Sequence, residues 1–303
     1  MENNKPVWGL DLGGTKIEGV ILESAYNIKV IERMRIATEG DQGYEHVLGR
    51  IQLLIEQMSA KTGLQPESIG LGTPGVLDPD LNTMKNCNST SLNGKYLKKD
   101  LEKMLDMPVR MANDANCFAV AETCLGIVRD EMPTANVVFG TIMGTGVGGG
   151  IVINGKALYG RHGIAGEWGH NFLDASGGKC YCGQTGCVET IISGPGLQRY
   201  YTSLTGELKA LKDIVQLHTE GKDEAATKTM QRLVQFFGKS IANVINILDP
   251  DAIVLGGGLG NIDLLYTDGV KEVEKHLFNH VLRTAFLKPK LGDSAGVFGA
   301  ALL

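Results

Sequence analysis

No apolar run in these 303 residues is long enough to span a bilayer. The opening stretch, MENNKPVWGLDLGG, lacks the apolar core of an export signal. A cytoplasmic protein without membrane contact is therefore expected. Basic runs are missing too. The formal net charge is −5, and without clustered Lys and Arg no nucleic-acid surface is expected. Low-complexity segments and solenoid repeats are absent. Cysteine is sparse, with six residues, and in a cytosolic chain these read as thiols rather than bridges. What remains is a globular chain, 43% hydrophobic and 21% charged, long enough for two domains. Glycine, in contrast, is plentiful at 41 and clustered, which signals tight turns or close backbone approach to a ligand.

The stretch 166–189, GEWGHNFLDASGGKCYCGQTGCVE, concentrates the chemistry. His170, Cys180, Cys182 and Cys187 make a set suited to tetrahedral Zn²⁺. Gly183 and Gly186 let the chain fold back between the last two thiols. The alternative is a disulfide or unrelated thiols, although the CxC cysteines are too close to bridge each other without strain. Glu167 and Glu189 flank the set, where a metal knuckle would aim their carboxylates. Cys87, Cys117 and Cys124 are left over and read as small buried thiols.

Period-two and period-3.6 patterns predict the elements. Strands are expected over 7–12, 16–22 and 28–36, the first two joined at Gly13-Gly14. A helix is expected over 44–60, a strand over 69–72 ending in a turn at Thr73-Pro74-Gly75, and a polar loop over 86–94. Helix 97–105, strand 109–111 and helix 115–125 follow. A second strand-rich start, 136–143, a glycine run 144–150 and a return strand 151–153 resemble the unit at 7–22, which suggests two related halves. Beyond the cysteines the chain turns helical, with a stripe from Met230 to Leu248 stopped at Asp249-Pro250. A buried strand 252–255, a helix running to about Leu282 and a terminal helix 294–303 complete it.

Three glycine clusters could meet a nucleotide. Asp11-Leu12-Gly13-Gly14-Thr15-Lys16 sets a carboxylate beside a turn whose N–H groups can face phosphate and Mg²⁺, or it is an ordinary hairpin. The run 144–150 contains GxGxxG, but a β-branched strand follows instead of a helix, which rejects a dinucleotide fingerprint. GIVINGKA at 150–157 has Ala157 where a P-loop needs Ser or Thr. Gly256-Gly257-Gly258 follows a strand and could accept a nucleotide face, or be a tight turn. Asn113-Asp114 opens a helix. Local sequence favours Asp114 as its N-cap, but the same carboxylate could take a proton from a sugar hydroxyl.

These motifs together resemble the ROK family: DLGGTK at 11–16, GTPG at 72–75, NDAN at 113–116, GTGVGGG at 144–150, GEWGH at 166–170, CYCGQTGCVE at 180–189 and LGGGL at 255–259. The resemblance covers essentially the whole chain. It implies an α/β actin-like ATPase (ribonuclease H-like) fold with two lobes around a central cleft. The small lobe would comprise 1–112 and 288–303, and the large lobe 113–287 with the zinc knuckle. Family members are bacterial sugar kinases or sugar-responsive repressors. The first strand begins at Val7, leaving no room for a repressor's helix-turn-helix, so a kinase is expected.

Further expectations follow from the resemblance. Asp114 would be the base, with Asn113, Glu167, His170, Glu189 and Gly75 on the sugar. His170 would also bind Zn²⁺ with Cys180, Cys182 and Cys187, one ring nitrogen for the metal and the other for the sugar. Asp11, Gly13, Gly14, Thr15 and Lys16, with Gly144, Thr145 and Gly146, would hold ATP phosphates and Mg²⁺. Gly256 and Gly257 would meet the adenosine, and a homodimer is expected. NCNSTSLNGK at 86–95 and GEWGHN at 166–171 look most like bacterial fructokinases with mannose activity. Phosphorylation of fructose at its 6-hydroxyl is therefore the main expectation, the polar groups of Asn86, Asn88, Ser91 and Asn93 suiting a sugar of hydroxyls. The alternatives are an N-acetylglucosamine, N-acetylmannosamine or glucose kinase, or a non-catalytic sugar-sensing regulator lacking a DNA-binding domain. One departure from many relatives is the short segment between His170 and Cys180.

Overall fold

The computed structural model describes residues 5–87, 89–279 and 281–303. Val7–Leu12 (β1) turns through its glycines into Lys16–Ser24 (β2), antiparallel with Leu12 opposite Ile17. Asn27–Ala37 (β3) adds outside β2. Tyr44–Thr62 (α1) buries Val47, Ile51, Leu54, Ile55 and Met58 in the core and ends at Gly63 in the left-handed region. Ile69–Thr73 (β4) runs parallel to β1. A small hairpin, Val76–Leu77 (β5) with Met84–Lys85 (β6), precedes Leu97–Leu105 (α2). Val109–Asn113 (β7) pairs parallel with β4, and Asp114–Cys124 (α3) and Ile127–Glu131 (α4) follow.

The pattern then repeats with Val137–Met143 (β8), Val147–Ile153 (β9) and Lys156–Ala157 (β10). Four helices come next: Val188–Ile192 (α5), Gly194–Thr205 (α6), Leu211–Thr219 (α7) and Glu224–Leu248 (α8). Ala252–Gly256 (β11), Asp268–Glu274 (α9), Ala285–Leu287 (β12) and Ala295–Ala301 (α10) end the chain. The sheets have orders β3-β2-β1-β4-β7 and β10-β9-β8-β11-β12. Both run in chain order 3-2-1-4-5, so the two related halves expected from the glycine turns share one topology.

Two elements differ from the expected ones. β9 begins at Val147, inside the glycine run, and within it Gly149 packs so closely that an added Cβ would lie 2.7 Å from both Phe139 and Trp168. After Gly256 the chain makes two 3₁₀ turns, Gly258–Asn261 and Asp263–Leu265, and only then the short α9. There Gly260 folds back on β11, where a Cβ would sit 2.0 Å from Leu255 O.

The chain forms two units. The first holds residues up to Thr134 with Gly150–Ala165 and Pro289–Leu303; the second holds Ala135–Gly149 and Gly166–Lys288. In the first, α10 lies at backbone contact with its neighbours. A Cβ on Gly70 of β4 would be 1.7 Å from Ala300 O, and one on Gly299 would be 1.8 Å from Cys117 O of α3. Only glycine permits that approach. Glu122 of α3, 0% exposed, accepts N–H groups from Ile127, Lys290 and Leu291. These bonds keep α3 with the C-terminal segment, so the first unit extends past the expected boundary at 112/113.

In the second unit α8 buries Met230, Leu233, Phe237, Ile241 and Ile245. Asp223 caps it, accepting Ala226 N–H at 3.0 Å and the Tyr201 hydroxyl at 2.6 Å. Among the described residues no helix is long and apolar enough to cross a membrane.

Candidate active site

The ligand atoms of His170, Cys180, Cys182 and Cys187 lie within 4.8 Å of one another. Cys180 Sγ stands 3.6 Å from His170 Nδ1, and Cys182 Sγ 3.6 Å from Cys187 Sγ. Zinc bonds of about 2.3 Å to sulfur and 2.0–2.1 Å to nitrogen imply tetrahedral edges of roughly 3.8 and 3.6 Å. The four groups therefore fit Zn²⁺, and all six cysteines are free thiols rather than bridges. Gly183 and Gly186, both at positive φ, make the knuckle, and Cys180 N–H donates to Gln184 O at 2.8 Å. The second nitrogen of His170, expected to face a sugar, meets the Tyr181 hydroxyl at 3.0 Å.

Hydrogen bonds join this knuckle to the glycine run. Glu189 Oε2 accepts the Val147 N–H at 2.9 Å. Trp168 Nε1 donates to Gly148 O at 2.9 Å, and Gly194 N–H donates to Gly144 O at 2.8 Å. Glu167 lies just before the 3₁₀ turn Trp168–His170. A cavity of about 900 Å³ in the same unit is lined by Gly144, Thr145, Gln198, Lys212, His218 and Asn261, among others. Gly258 also lines it, whereas Gly256 and Gly257 do not. Gly256 ends β11, and Gly257 packs on β8, where a Cβ would be 2.3 Å from Met143 O. Gln198, Lys212 and His218 carried no sequence signal, because α6 and α7 present them singly and without a motif.

In the first unit Asp11 sits at the end of β1, its pKa pushed up to about 6 by burial and by the neighbouring charges of Asp114 and Glu18, against the pull of Lys16. Burial also raises Asp114 above the usual carboxylate range. The N-cap of α3 is Asn113, not Asp114: Asn113 Oδ1 accepts Asn116 N–H at 2.9 Å. Asp114 Oδ1 accepts the Ala115 N–H at 2.8 Å. The turn of Gly13 and Gly14 is braced by Gly13 N–H on Lys16 O, the Thr38 hydroxyl on Gly13 O, and Thr38 N–H on Thr15 O. Beside it lies a cavity of about 290 Å³ lined in part by Gly13, Gly14, Ser89 and Thr90. Gly75 packs on Cys87, whose sulfur would be 2.5 Å from an added Cβ.

In the 86–95 loop only Cys87 and Leu92 are buried among the described residues. Asn93 uses both ends of its amide on the Cys87 backbone, at 2.9 and 3.2 Å, and Leu92 is buried. Asn88 lies outside the described residues. Cys117 is wholly buried, Cys87 is buried, and Cys124 donates to Gly155 O at 3.5 Å, as ordinary packed thiols do.

The sequence profile of the ROK family matches residues 7–303. A curated relative from Vibrio cholerae, named N-acetyl-D-glucosamine kinase, is 38% identical over 98% of both chains. The ROK hexokinase of Thermus thermophilus superposes with a TM-score of 0.87 at 29% identity, over 98% of this chain and 97% of that one. A ROK family glucokinase from Streptomyces griseus, solved with glucose and AMPPNP, gives 0.75 at 28% identity over 98% of both. The fold is the expected α/β actin-like kinase fold, with a mixed five-stranded sheet in each repeat.

Proposed function

This chain belongs to the ROK family, and we propose that it is an ATP-dependent N-acetylglucosamine kinase acting at the sugar 6-hydroxyl. The observation that carries the reading is the 38% identity, over 98% of both chains, with a protein bearing that name. It replaces fructose, the main sequence expectation, with one of the alternatives.

In this reading the chemistry is positioning plus one proton transfer. Asn113 keeps its amide N–H₂ for a sugar hydroxyl while Oδ1 holds the helix start. Asp114, ionised, takes the 6-hydroxyl proton as that oxygen attacks the γ-phosphorus and the bond to the ADP oxygen breaks. Burial raises the basicity of Asp114, which strengthens it as a proton acceptor. Thr145 and the backbone of Gly144 line the second unit's cavity and would bind the nucleotide. Mg²⁺ carried with ATP would neutralise phosphate charge, and Asp11, a buried carboxylate with acidic neighbours, suits its hydration shell. Zn²⁺ held by His170, Cys180, Cys182 and Cys187 would supply rigidity to the segment bearing Glu167 and Glu189. Residues of both units thus take part in the proposal.

The test is ADP release, coupled to an indicator enzyme, for N-acetylglucosamine, N-acetylmannosamine, glucose, mannose and fructose under one set of conditions. The proposal expects the highest kcat/KM for N-acetylglucosamine. Fructose ranking first would return the assignment to a fructokinase. No sugar-dependent ADP release would favour a sensing protein without turnover.

A further inference from the structure

A row of residues crosses the first unit's sheet at the end of β1. Glu18 of β2 lies opposite Asp11 on one side and opposite Arg35 of β3 on the other, and Gly72 of β4 meets Asp11 from its far side. Directly paired residues share one face of a sheet, and Arg33, two positions from Arg35, shares it too. Two carboxylates therefore stand side by side, with two guanidiniums beside the outer one. Both guanidiniums go to that outer carboxylate. Glu18, only 3% exposed, accepts Arg33 Nε on Oε1 and Arg35 Nε on Oε2, the latter at 2.8 Å. Arg33 Nη1 also donates to the Ser294 hydroxyl at 2.8 Å. Asp11 has glycines beside its oxygens: a Cβ added to Gly72 would lie 3.2 Å from Oδ1, and one added to Gly296 would lie 3.4 Å from Oδ2.

Stability alone does not account for this row. Like charges directly opposite one another destabilise a strand pair, and a buried ion-pair cluster adds little over apolar residues of similar size. Its place beside Asp11 gives it a use. A guanidinium is a strong partner for any carboxylate within reach, and without Glu18 the next carboxylate along the row is Asp11.

We infer that Glu18 is a positioning residue that holds Arg33 and Arg35 away from Asp11, so that the Asp11 carboxylate stays available to the Mg²⁺ that accompanies ATP. The inference rests on the proposed function, which sets Asp11 at the hydration shell of that ion. A guanidinium on Asp11 would put a positive charge where a divalent cation has to come. Its N–H groups would also occupy the oxygens that the waters of a hydrated ion use. Glu18 prevents both by giving the arginines a closer acceptor.

The experiment titrates Mg²⁺ against the wild type, Glu18→Gln, Asp11→Asn and the triple variant Glu18→Gln/Arg33→Gln/Arg35→Gln. Two quantities are read: the Mg²⁺ concentration for half-maximal ADP release at saturating sugar, and the Mg²⁺ dependence of ADP binding by calorimetry. Glu18→Gln should raise the Mg²⁺ requirement about tenfold in both, the difference between a charged and a neutral hydrogen bond, and leave the sugar KM within about threefold. The triple variant has no guanidinium to release, so its requirement should return to within about threefold of the wild type. A merely structural Glu18 would leave the triple variant as impaired as the single one, because none of the lost bonds is restored. That result overturns the inference, as does an unchanged requirement in Glu18→Gln. Should Glu18→Gln fail to fold, Glu18→Asp draws the carboxylate back by one methylene and should raise the requirement to a smaller extent; no rise there overturns the inference. Asp11→Asn tells the two readings apart. A wild-type Mg²⁺ requirement in that variant removes Asp11 from the ion and this inference with it, whereas a raised one beside an unaffected Glu18→Gln sinks this inference alone.

Discussion

Glu189 Oε2 accepts a 2.9 Å hydrogen bond from the backbone N–H of Val147. The carboxylate stands two residues beyond the zinc-type ligand Cys187, and the N–H follows directly on Gly144-Thr145-Gly146. One side chain thus ties the metal knuckle to the glycine run, and a Cβ on Gly146 would come within 2.6 Å of the same oxygen. The knuckle therefore supports the glycine turn as well as flanking it with carboxylates.

Glu189→Ala should remove that tie and leave the Val147 N–H without its partner, at about 1–3 kcal/mol. The expected result is a lower Tm and a several-fold rise in KM for ATP. Glu189→Gln keeps an acceptor and should be milder on both. An alanine variant with wild-type Tm and KM would show the bond to be idle.

About one equivalent of Zn²⁺ should copurify and be found by elemental analysis, because four ligands at these spacings close a structural site. Cys182→Ser removes one ligand. It should lower both metal content and thermal stability, and a chelator should reproduce the effect on the wild type. Metal-free protein of full stability would contradict this.

Asp114→Asn should lower kcat by roughly 10²–10⁴ while sugar binding changes less, since an acceptor remains. The pH profile carries a second check. A raised pKa means the proton is held to higher pH, and the base works only when ionised. Activity should therefore fall, as pH decreases, through a midpoint above the ordinary value of 3.8. An acid limb at or below that value would remove Asp114 from the proton transfer.

Asp11 links pH to stability. Its pKa is about 6 in the folded protein, against 3.8 for an ordinary solvent-exposed aspartate. The folded state binds the proton more tightly, so the stabilising contribution is full below about 3.8 and is lost as pH rises through 6. At pH 8 the ionised, buried carboxylate opposes folding. Asp11→Asn should therefore raise Tm at pH 8, by on the order of 2 kcal/mol in stability without nucleotide or Mg²⁺, and have little effect at pH 4. The same variant should lose activity. Calorimetry at the two pH values tests it, and a lower Tm at pH 8 would reverse the sign.

Features set by short-range spacing were legible in the sequence. The ligand set of His170, Cys180, Cys182 and Cys187, the turn after Asp11 and the stripe of α8 each depend on residues close along the chain, where periodicity and glycine carry the signal. The repeated strand–glycine–strand unit suggested two related halves for the same reason, and the structure gave them one sheet order. The tertiary structure alone decided which polar groups were already engaged. Asn113 takes the cap that local sequence favoured for Asp114, because β7 delivers its side chain to the Asn116 N–H. Glu189 reaches Val147 across 42 residues, and Glu122 reaches Lys290 across 168. Val76, Met111, Asn116 and Tyr159 line one cavity although they are spread over more than eighty positions of the chain. No local pattern encodes such partners: hydrogen bonding and burial are satisfied by whatever the fold brings near, so these features emerge only when the chain has packed.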